Sequence, residues 1–319
     1  MKPCFLIQVM SLTLVLSTPA GAFSWTARAS TGSHQWTSIA SSADGTYLAA
    51  VAFGGNIFTS RDSGASWTEH GSAGSWQWTC IASSADGTHL VAASSPGDVY
   101  TSGDAGETWT DRAAAGNQPW TSVASSADGT HLAAAAYDGY VYTSGDFGES
   151  WTKRIGSGAR GWKAIVSSSD GARLAAIVFG GYVYTSVDAG STWTEHAAAG
   201  SRPWTSVATS SDGGFLVATS QEGDIYSSSD SGTTWVDRAS AGSRIWSCVA
   251  SSADATRLVA AAELGSIYTS TDSGATWKDQ GVSEPWPWKA IASSADGTHL
   301  AAVTSAAGVG TIWTGAEPP

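Results

Sequence analysis

The sequence has little basic charge and no site for N-linked glycans. Its 15 lysines and arginines are outnumbered by 27 aspartates and glutamates, which gives a net charge of −12. Nucleic-acid backbones are bound by clustered positive charge, so this balance argues against nucleic acid as a partner. No Asn-x-Ser/Thr sequence occurs, so we expect no N-glycosylation.

Long apolar stretches are also missing beyond the N-terminus. No later segment approaches the about 18 apolar residues of a membrane-spanning helix, so we expect no membrane span. Residues 1–22 resemble an export signal, because Lys2 precedes a mostly apolar run and Ala20-Gly21-Ala22 offers a cleavage site. We therefore predict a signal peptide at 1–22, a mature chain at 23–319, and a secreted or periplasmic protein.

Tryptophan recurs every 42 residues in two series that keep the same register. The first series is Trp36, Trp78, Trp120, Trp162, Trp204, Trp246 and Trp288. The second series is Trp25, Trp67, Trp109, Trp151, Trp193, Trp235 and Trp277. The two series hold 14 of the 17 tryptophans, so the chain is one structural unit copied seven times. A period near forty residues is typical of propellers and solenoids.

Each copy reads as four short strands separated by turns. In the first copy we predict strands at 36–42, 48–53, 57–60 and 66–70, with Asp-Gly and Asp-x-Gly sequences in two of the turns. No segment shows a sustained helical period. Four short strands per copy predict the blade of a β-propeller.

The two ends of the chain complement each other. The last copy, which begins at Trp288, lacks a fourth strand, and residues 23–28 match one. Pairing of these segments closes the ring and covers an exposed sheet edge. We predict an all-β fold, a seven-bladed β-propeller with four antiparallel strands per blade, whose last blade is closed by the N-terminal strand.

The cysteines and histidines predict neither a disulfide nor a metal site. Cys80 and Cys248 occupy the same position in copies two and six. Copies so far apart around a ring cannot bring two Cα atoms within the roughly 7 Å of a disulfide, so we expect both residues to be buried thiols. No two histidines stand at ligand spacing. We expect no metal and no cofactor.

The third turn carries the motif Ser-x-Asp-x-Gly-x-x-Trp six times. Its aspartates are Asp62, Asp104, Asp146, Asp188, Asp230 and Asp272. The motif resembles the Asp-box, or BNR repeat, and the resemblance covers nearly all of residues 23–319. In that family it is a structural turn, and a carboxylate that accepts backbone N–H groups above a packed tryptophan suits that role. Calcium binding is the alternative, but each motif brings one acid whereas calcium takes about six to eight oxygens.

The resemblance leaves the function open. Asp-box propellers include sialidases, other glycosidases, sortilin-type receptors, photosystem II assembly factors and lectins, so the fold alone does not identify an activity. Within a blade, strand direction alternates, which places the two aspartate turns on one face. The loops between strands two and three, and those between blades, lie on the other face and vary in sequence. A repeat protein that varies one face is expected to bind with it.

The position two residues before each opening tryptophan is the most distinctive part of the variable face. It reads His34, Trp76, Gln118, Arg160, Arg202, Arg244 and Trp286. Arginines on three consecutive blades are suited to a carboxylate or sulfate, and the tryptophans to sugars or a protein contact. The alternative is that these are rim residues pointing into solvent.

The remaining variable loops add aromatic residues in some blades and acids in others. They are Phe53, Tyr137, Tyr140, Phe179, Tyr182, Glu222 and Glu263. Such a rim suits a sugar or a protein, and burial against the neighbouring blade would explain the aromatics equally well. We expect the opening tryptophans to be wedges between blades rather than ligand platforms.

These features favour a binding protein over an enzyme. Sialidases use individual residues for their arginine triad, whereas Arg160, Arg202 and Arg244 share one repeat position. Other glycosidases need two carboxylates about 5 to 10 Å apart, and nothing marks Glu222 and Glu263 as such a pair. We therefore expect a secreted, monomeric, non-catalytic module that binds a glycan or an extracellular or envelope protein. The alternatives are a sialidase-like glycosidase and, by fold analogy, an assembly factor.

Overall fold

The computed structural model describes residues 23–221, 223–282, 286–305 and 310–318. Seven antiparallel sheets follow one another around a central channel. In six of the blades the four strands are consecutive in sequence.

Blade one consists of β2 Trp36–Ser41, β3 Leu48–Gly55, β4 Ile57–Ser60 and β5 Thr68–His70. Blade two consists of β6 Trp76–Ser83, β7 Leu90–Ser94, β8 Val99–Ser102 and β9 Thr110–Asp111. Blade three consists of β10 Trp120–Ser125, β11 Leu132–Ala136, β12 Val141–Ser144 and β13 Thr152–Arg154.

Blade four consists of β14 Trp162–Ser167, β15 Leu174–Gly181, β16 Val183–Ser186 and β17 Thr194–His196. Blade five consists of β18 Arg202–Thr209, β19 Leu216–Ser220, β20 Ile225–Ser228 and β21 Val236–Asp237. Blade six consists of β22 Trp246–Ser251, β23 Leu258–Ala262, β24 Ile267–Ser270 and β25 Lys278–Asp279.

The seventh blade is built from both ends of the chain. It consists of β26 Trp288–Ser293, β27 His299–Thr304, β28 Ile312–Ala316 and, as its outer strand, β1 Ser24–Arg28. β1 runs antiparallel to β28, with Trp25 opposite Gly315. The predicted seven-bladed propeller and its closure by the N-terminal strand are confirmed. The predicted signal peptide at 1–22 lies outside the described residues.

Three predicted strand boundaries of the first blade differ from the structure. The first strand ends at Ser41 rather than at residue 42. The fourth strand of the first blade begins at Thr68 rather than at residue 66, because Ser66 and Trp67 still hydrogen-bond within the preceding turn. The second strand runs on to Gly55, where it pairs with the start of β6 in the next blade. Short 3₁₀ turns also precede some blades, at Ala29–Thr31, Ala113–Ala115, Ile155–Ser157, Ala197–Ala199 and Ala239–Ala241.

The opening tryptophans form the packing between blades. Trp78, for example, is fully buried and shares a cluster with Val51 and Ile57 of the preceding blade. It also meets the ring of Tyr100 on its own third strand edge to face, with centroids 5.1 Å apart. All seven opening tryptophans are fully buried, so the predicted wedge role is confirmed.

A closed ring of backbone hydrogen bonds ties the blades together on the face of the first turns. The N–H of Ala43 donates to the carbonyl of Ala85 in the next blade, and the equivalent bond recurs at every step. The donors are Ala43, Ala85, Ala127, Ser169, Ser211, Ala253 and Ala295, the last of which returns to Ala43, at 2.7 to 2.8 Å throughout. Backbone contacts therefore join all seven blades on this face.

The opposite face carries a second set of pairings between blades. Each loop between strands two and three pairs through a glycine with the segment that leads into the next blade. The pairs are Gly55–Trp76, Gly97–Gln118, Gly139–Arg160, Gly181–Arg202, Gly223–Arg244, Gly265–Trp286 and Gly310–His34. The position two residues before the opening tryptophan is therefore a backbone contact between blades.

The first strand of every blade has a register shift directly after its tryptophan. In the first blade Trp36 pairs with Ala52 and Ser38 with Val51, so Thr37 has no partner in the register. Such a bulge turns the extra residue in a new direction. Here that residue lines the central channel, and its counterparts are Thr79, Thr121, Lys163, Thr205, Ser247 and Lys289.

Replacing Trp25 with alanine should weaken the closure of the ring. Trp25 is 1% exposed and lies 6.4 Å from the ring of Trp288. Because a cavity would form at the joint between the chain ends, we expect Trp25→Ala to lower the free energy of unfolding by about 3 to 5 kcal/mol, measured in urea. Trp76→Ala, at a side chain that is 48% exposed, is the matched control. Equal losses of unfolding free energy in the two variants would contradict a role of Trp25 in stabilising the closure of the ring.

Candidate functional site

One face of the propeller is nearly constant from blade to blade. On this face each blade carries two aspartate turns, and hydrogen bonds within each turn engage its carboxylate. In the first blade the Asp62 carboxylate accepts from the Ser60 hydroxyl at 2.8 Å and from the backbone N–H of Ser66 at 2.8 Å. Trp67 completes the turn by donating its indole N–H to the carbonyl of Gly64 at 3.1 Å. The same contacts recur at Asp104, Asp146, Asp188, Asp230 and Asp272.

These aspartates hold turns together rather than forming a ligand cluster. Among the described residues, no group of three or more His, Cys, Asp or Glu is arranged to hold a metal ion. Hydrogen bonds from the side chain and backbone of Ser150 lower the pKa of Asp146 to about 2. Those from the backbone and side chain of Thr192 do the same for Asp188. Each carboxylate is thus stabilised as an anion by its own turn.

Acid should weaken the fold through these turns. An unfolded aspartate has a pKa of about 3.9, so the lowered pKa of Asp146 and Asp188 contributes stability that is present above that pH. The contribution is lost as the pH falls through about 4 towards 2. Asp188→Asn should lower the stability near pH 7 and flatten its dependence on pH below 5, measured by urea unfolding across pH. Unchanged pH dependence in this variant would contradict the assignment.

The arginines of the variable face are stacked on tyrosines of their own blades. The Arg160 guanidinium carbon lies 4.5 Å from the ring centre of Tyr184, and its Nε donates to the carbonyl of Ser157 at 3.1 Å. Arg202 stacks on Tyr226 at 4.2 Å. Arg244 stacks on the third-strand tyrosine of blade six at 4.6 Å. The three guanidinium groups therefore stand one blade apart around the rim.

Other residues at this repeat position make related contacts. The indole N–H of Trp76 donates to the carbonyl of Ala73 at 2.7 Å. His34 contacts the carbonyl of Thr31 at 2.9 Å and packs 4.9 Å from a third-strand phenylalanine ring. Trp286 packs 5.6 Å from Trp313. In five blades a planar group at this position thus packs on an aromatic ring of the third strand. Ligand binding by the same residues stays a prediction.

Arg202→Ala should measurably destabilise blade five. It removes a cation–π contact with Tyr226 and a hydrogen bond of 3.0 Å to the carbonyl of Ala199. We expect a loss of about 1 to 2 kcal/mol in the free energy of unfolding. Arg202→Lys keeps the charge but lacks the planar group, so it should lose most of the same stability. If Arg202→Lys kept the full free energy of unfolding, the positive charge rather than the planar group would provide this stability.

The predicted aromatic rim is partly solvent-exposed. The exposed fractions are 45% for Phe53, 51% for Tyr137 and 48% for Phe179. Phe53 and Phe179 lie at strand ends that pair with the next blade, Phe53 opposite Gln77 and Phe179 opposite Pro203. Tyr137 lies in the loop that pairs with the next blade through Gly139. Together with Trp76, these three aromatics form what we call the aromatic rim.

The other predicted loop residues are distributed differently. The ring of Tyr140 lies under the ammonium of Lys153 at 4.0 Å. Tyr182 packs partly against the core between blades three and four. Glu263 lies among the residues that line the central channel, and Glu222 is outside the described residues. These residues therefore do not join the aromatic rim as one surface.

The central channel is a cavity of about 640 Å³ lined by the innermost strand of every blade. Its lining is mostly Ser, Thr, Ala and Ile, and Phe179, Gln221, Ile245 and Glu263 stand where the variable loops meet it. Two lysines, Lys163 and Lys289, also line it. Sequence reasoning missed both. The available signal was that they replace the Thr or Ser that directly follows the tryptophan in the other five blades.

The described lining of the channel holds a single carboxylate, that of Glu263. A carboxylate pair does occur elsewhere, on the outer strands of blade five, where Asp224 stands beside Asp237. Burial, followed by the charge of Asp237, raises the pKa of Asp224. This pair lies outside the channel lining.

Comparisons with known proteins identify the fold. No family model and no curated protein matches the chain. A solved structure of YCF48 from Cyanidioschyzon merolae is 18% identical, with 91% of this chain and 98% of that chain covered and a TM-score of 0.70. A structure of YCF48 bound to D1 peptide is 14% identical, with 96% and 100% covered and a TM-score of 0.73.

A third similar structure is an enzyme. The GH74 xyloglucanase from Xanthomonas campestris is 18% identical, with 92% of this chain covered and a TM-score of 0.71, and the match spans 54% of the xyloglucanase chain. At such identities the likeness shows the β-propeller fold alone. In the part of the chain that the structure describes, no helix is long and apolar enough to cross a membrane. The chain thus has the β-propeller fold that it shares with these solved structures.

Proposed function

We propose that this protein is a non-catalytic binding module that takes a protein partner on its variable face. The observation that carries this proposal is the aromatic rim, in which Phe53, Trp76, Tyr137 and Phe179 each remain about half exposed. Exposed aromatic side chains on rigid supports are the usual anchors of protein contacts. Ile245 and Leu264, also exposed, extend the apolar character of the same face.

The rigidity of the rim supports this function. Each rim residue belongs to a loop or strand end that is paired with the neighbouring blade. A surface held in this way loses little conformational entropy on binding. A fold of the same kind has been solved with a bound peptide, YCF48 with D1 peptide, and this precedent favours a protein partner.

Glycan binding is the second candidate, and the same aromatic rim favours it. Half-exposed rings such as Phe179 and Trp76 can stack on the apolar faces of sugars. Within this candidate, Arg160, Arg202 and Arg244 would select acidic sugars through the guanidinium nitrogens that do not contact the 3₁₀ turns. The GH74 xyloglucanase shows that the fold accommodates a carbohydrate-active protein.

Further parts of the proposal rest on sequence. The repeated Ser-x-Asp-x-Gly-x-x-Trp motif supports membership of the Asp-box propellers, and the turn contacts at Asp62 agree with the structural role of that motif. The charged start and apolar run within residues 1–22 support export from the cell. We propose a monomer, since one chain closes the ring by itself.

The proposed function is tested by comparing two sets of exposed apolar residues. Purified protein is immobilised and used for quantitative capture from the secretome of the native source, and is applied in parallel to a glycan array. The double variant Trp76→Ala/Phe179→Ala removes half of the rim. We expect specific captured proteins to be reduced at least tenfold in this variant, because anchor residues carry most of the binding energy.

The matched control is Val187→Ala/Val236→Ala. These valines are 64% and 51% exposed, and they lie in and after aspartate turns rather than on the rim. Capture retained in the control and lost in the rim variant supports a protein partner. Binding to the glycan array that is retained in the control and lost in the rim variant supports the glycan candidate instead. Capture and array signals that do not distinguish the two variants would refute a role for the rim.

A further inference from the structure

We propose that the central channel is a binding site for an oxyanion, held between Lys163 and Lys289 with help from the hydroxyl groups of the channel wall. This inference concerns the interior of the ring and is independent of the partner bound at the rim. Both lysines stand at the bulge position that directs a side chain into the channel. They lie in blades four and seven, three blades apart, on opposing sides of the ring.

The bulge position has a structural task in the other blades. In the first blade the Thr37 hydroxyl lies 3.1 Å from the carbonyl of Val51 and 2.9 Å from that of Trp78 in the next blade. Thr79 and Thr121 make the same contacts across the next two blade boundaries. A hydroxyl at this position therefore links neighbouring inner strands in blades one to three. In blades five and six Thr205 and Ser247 donate only to carbonyls of their own blades.

Blades four and seven lack a hydroxyl at the bulge position, and their sequences there are the same. Both carry the tetrapeptide Trp-Lys-Ala-Ile, at 162–165 and 288–291. In blades one, three and five the residue at the alanine position is a serine whose hydroxyl accepts a backbone N–H from the next blade, as Ser122 accepts from Ile165 at 3.1 Å. Among the described residues, blades four and seven make neither of these contacts with the blade that follows. Stability of the ring does not explain the substitution, so the ammonium groups require another explanation.

The two ammonium groups are not neutralised by the protein. Throughout the described residues, neither Lys163 nor Lys289 has a hydrogen-bond or ion-pair partner. Both lysine side chains are solvent-exposed within the channel. Burial, followed by the charge of Lys289, lowers the pKa of Lys163. Two like charges that sense each other in a confined space favour a negative ligand between them.

The chemistry of the wall matches a small oxyanion. Ammonium groups act as point charges for phosphate and carboxylate. Hydroxyl groups of the wall such as those of Ser38 and Ser206 accept a backbone N–H and donate to no group of the described residues, so they can donate to further oxygens. A volume of about 640 Å³ admits such an ion together with water. The protein as a whole carries a charge of −12, so an anion is repelled by the surface in general and finds a local positive site here.

Calorimetric titration of the purified protein with inorganic phosphate and, separately, with citrate tests the proposal at low ionic strength. The variants are Lys163→Thr and Lys289→Thr, which introduce the residue found at this position in blades one, two, three and five. We expect each to weaken binding about tenfold or more, since a hydrogen bond to a charged group contributes about 1.5 to 3 kcal/mol. Neither should lower the melting temperature, because threonine fits the position.

Two controls separate this site from general charge effects. Lys153→Thr removes one positive charge at Tyr140, outside the channel lining, and should leave binding unchanged. Lys289→Arg keeps the charge and should retain most of the affinity. A response to phosphate alone would indicate a phosphate group, and a response to citrate alone a carboxylate. Failure of both ions to bind, or equal binding in wild type and both threonine variants, would overturn the proposal.

Binding should also depend on pH with a defined sign. The titratable groups that line the channel with Lys163, among the described residues, are Lys289, Glu263 and the thiols of Cys80 and Cys248. Burial raises the pKa of both thiols to about 12, so they stay neutral near pH 7. Because the pKa of Lys163 is lowered, anion binding should weaken on the alkaline side before the usual range of lysine is reached. The Lys163→Thr variant should lose this part of the pH dependence.

Discussion

The backbone ring that links the first turns of all blades is the constraint on which the remaining structure depends. Each turn donates one N–H to the next, and the bond from Ala295 back to Ala43 exists only if the seventh blade arrives beside the first. The N-terminal strand β1 completes that blade from the other end of the chain. Closure therefore removes free sheet edges and fixes the diameter of the channel at once.

The ring also explains why one face can vary. The first turns are held by backbone atoms, and the third turns by carboxylates such as Asp62 that are fully engaged within their own loops. Neither requires help from the opposite face. The opposite face is held by backbone pairing through glycines such as Gly139, so many of its side chains are free to change from blade to blade. We therefore expect the functional site on the face whose side chains are free to vary.

Two repeat positions show how such freedom is used. At the position two residues before the tryptophan, chemically different side chains in five blades pack on the third strand, as His34 and Arg202 do. Their variety thus has a shared packing explanation. At the position after the tryptophan, a hydroxyl in five blades bonds a backbone carbonyl, and Lys163 and Lys289 break that pattern without a replacement contact in the described residues. The second position is for this reason the stronger indication of a ligand.

The sequence by itself determined the number of blades, their four strands, the closure by residues 23–28 and the two aspartate turns. Each of these follows from a local pattern repeated at a fixed period, such as Trp78 or Asp62 with its neighbours, and repetition makes local signals reliable. The strand ends were less well predicted, because Gly55 pairs with the next blade and Trp67 is held in the preceding turn by its own side-chain hydrogen bond.

Only the tertiary structure decided what the variable residues face. The stacking of Arg160 on Tyr184 joins residues 24 apart in sequence and depends on how the segment between blades folds back. The channel-facing direction of Lys163 and Lys289 depends on a register shift that alternation of side chains along a strand does not reveal. Their opposition across the channel depends further on closure of the whole ring. A one-dimensional pattern specifies which residues change between copies, whereas the bulge and the ring determine where those residues meet.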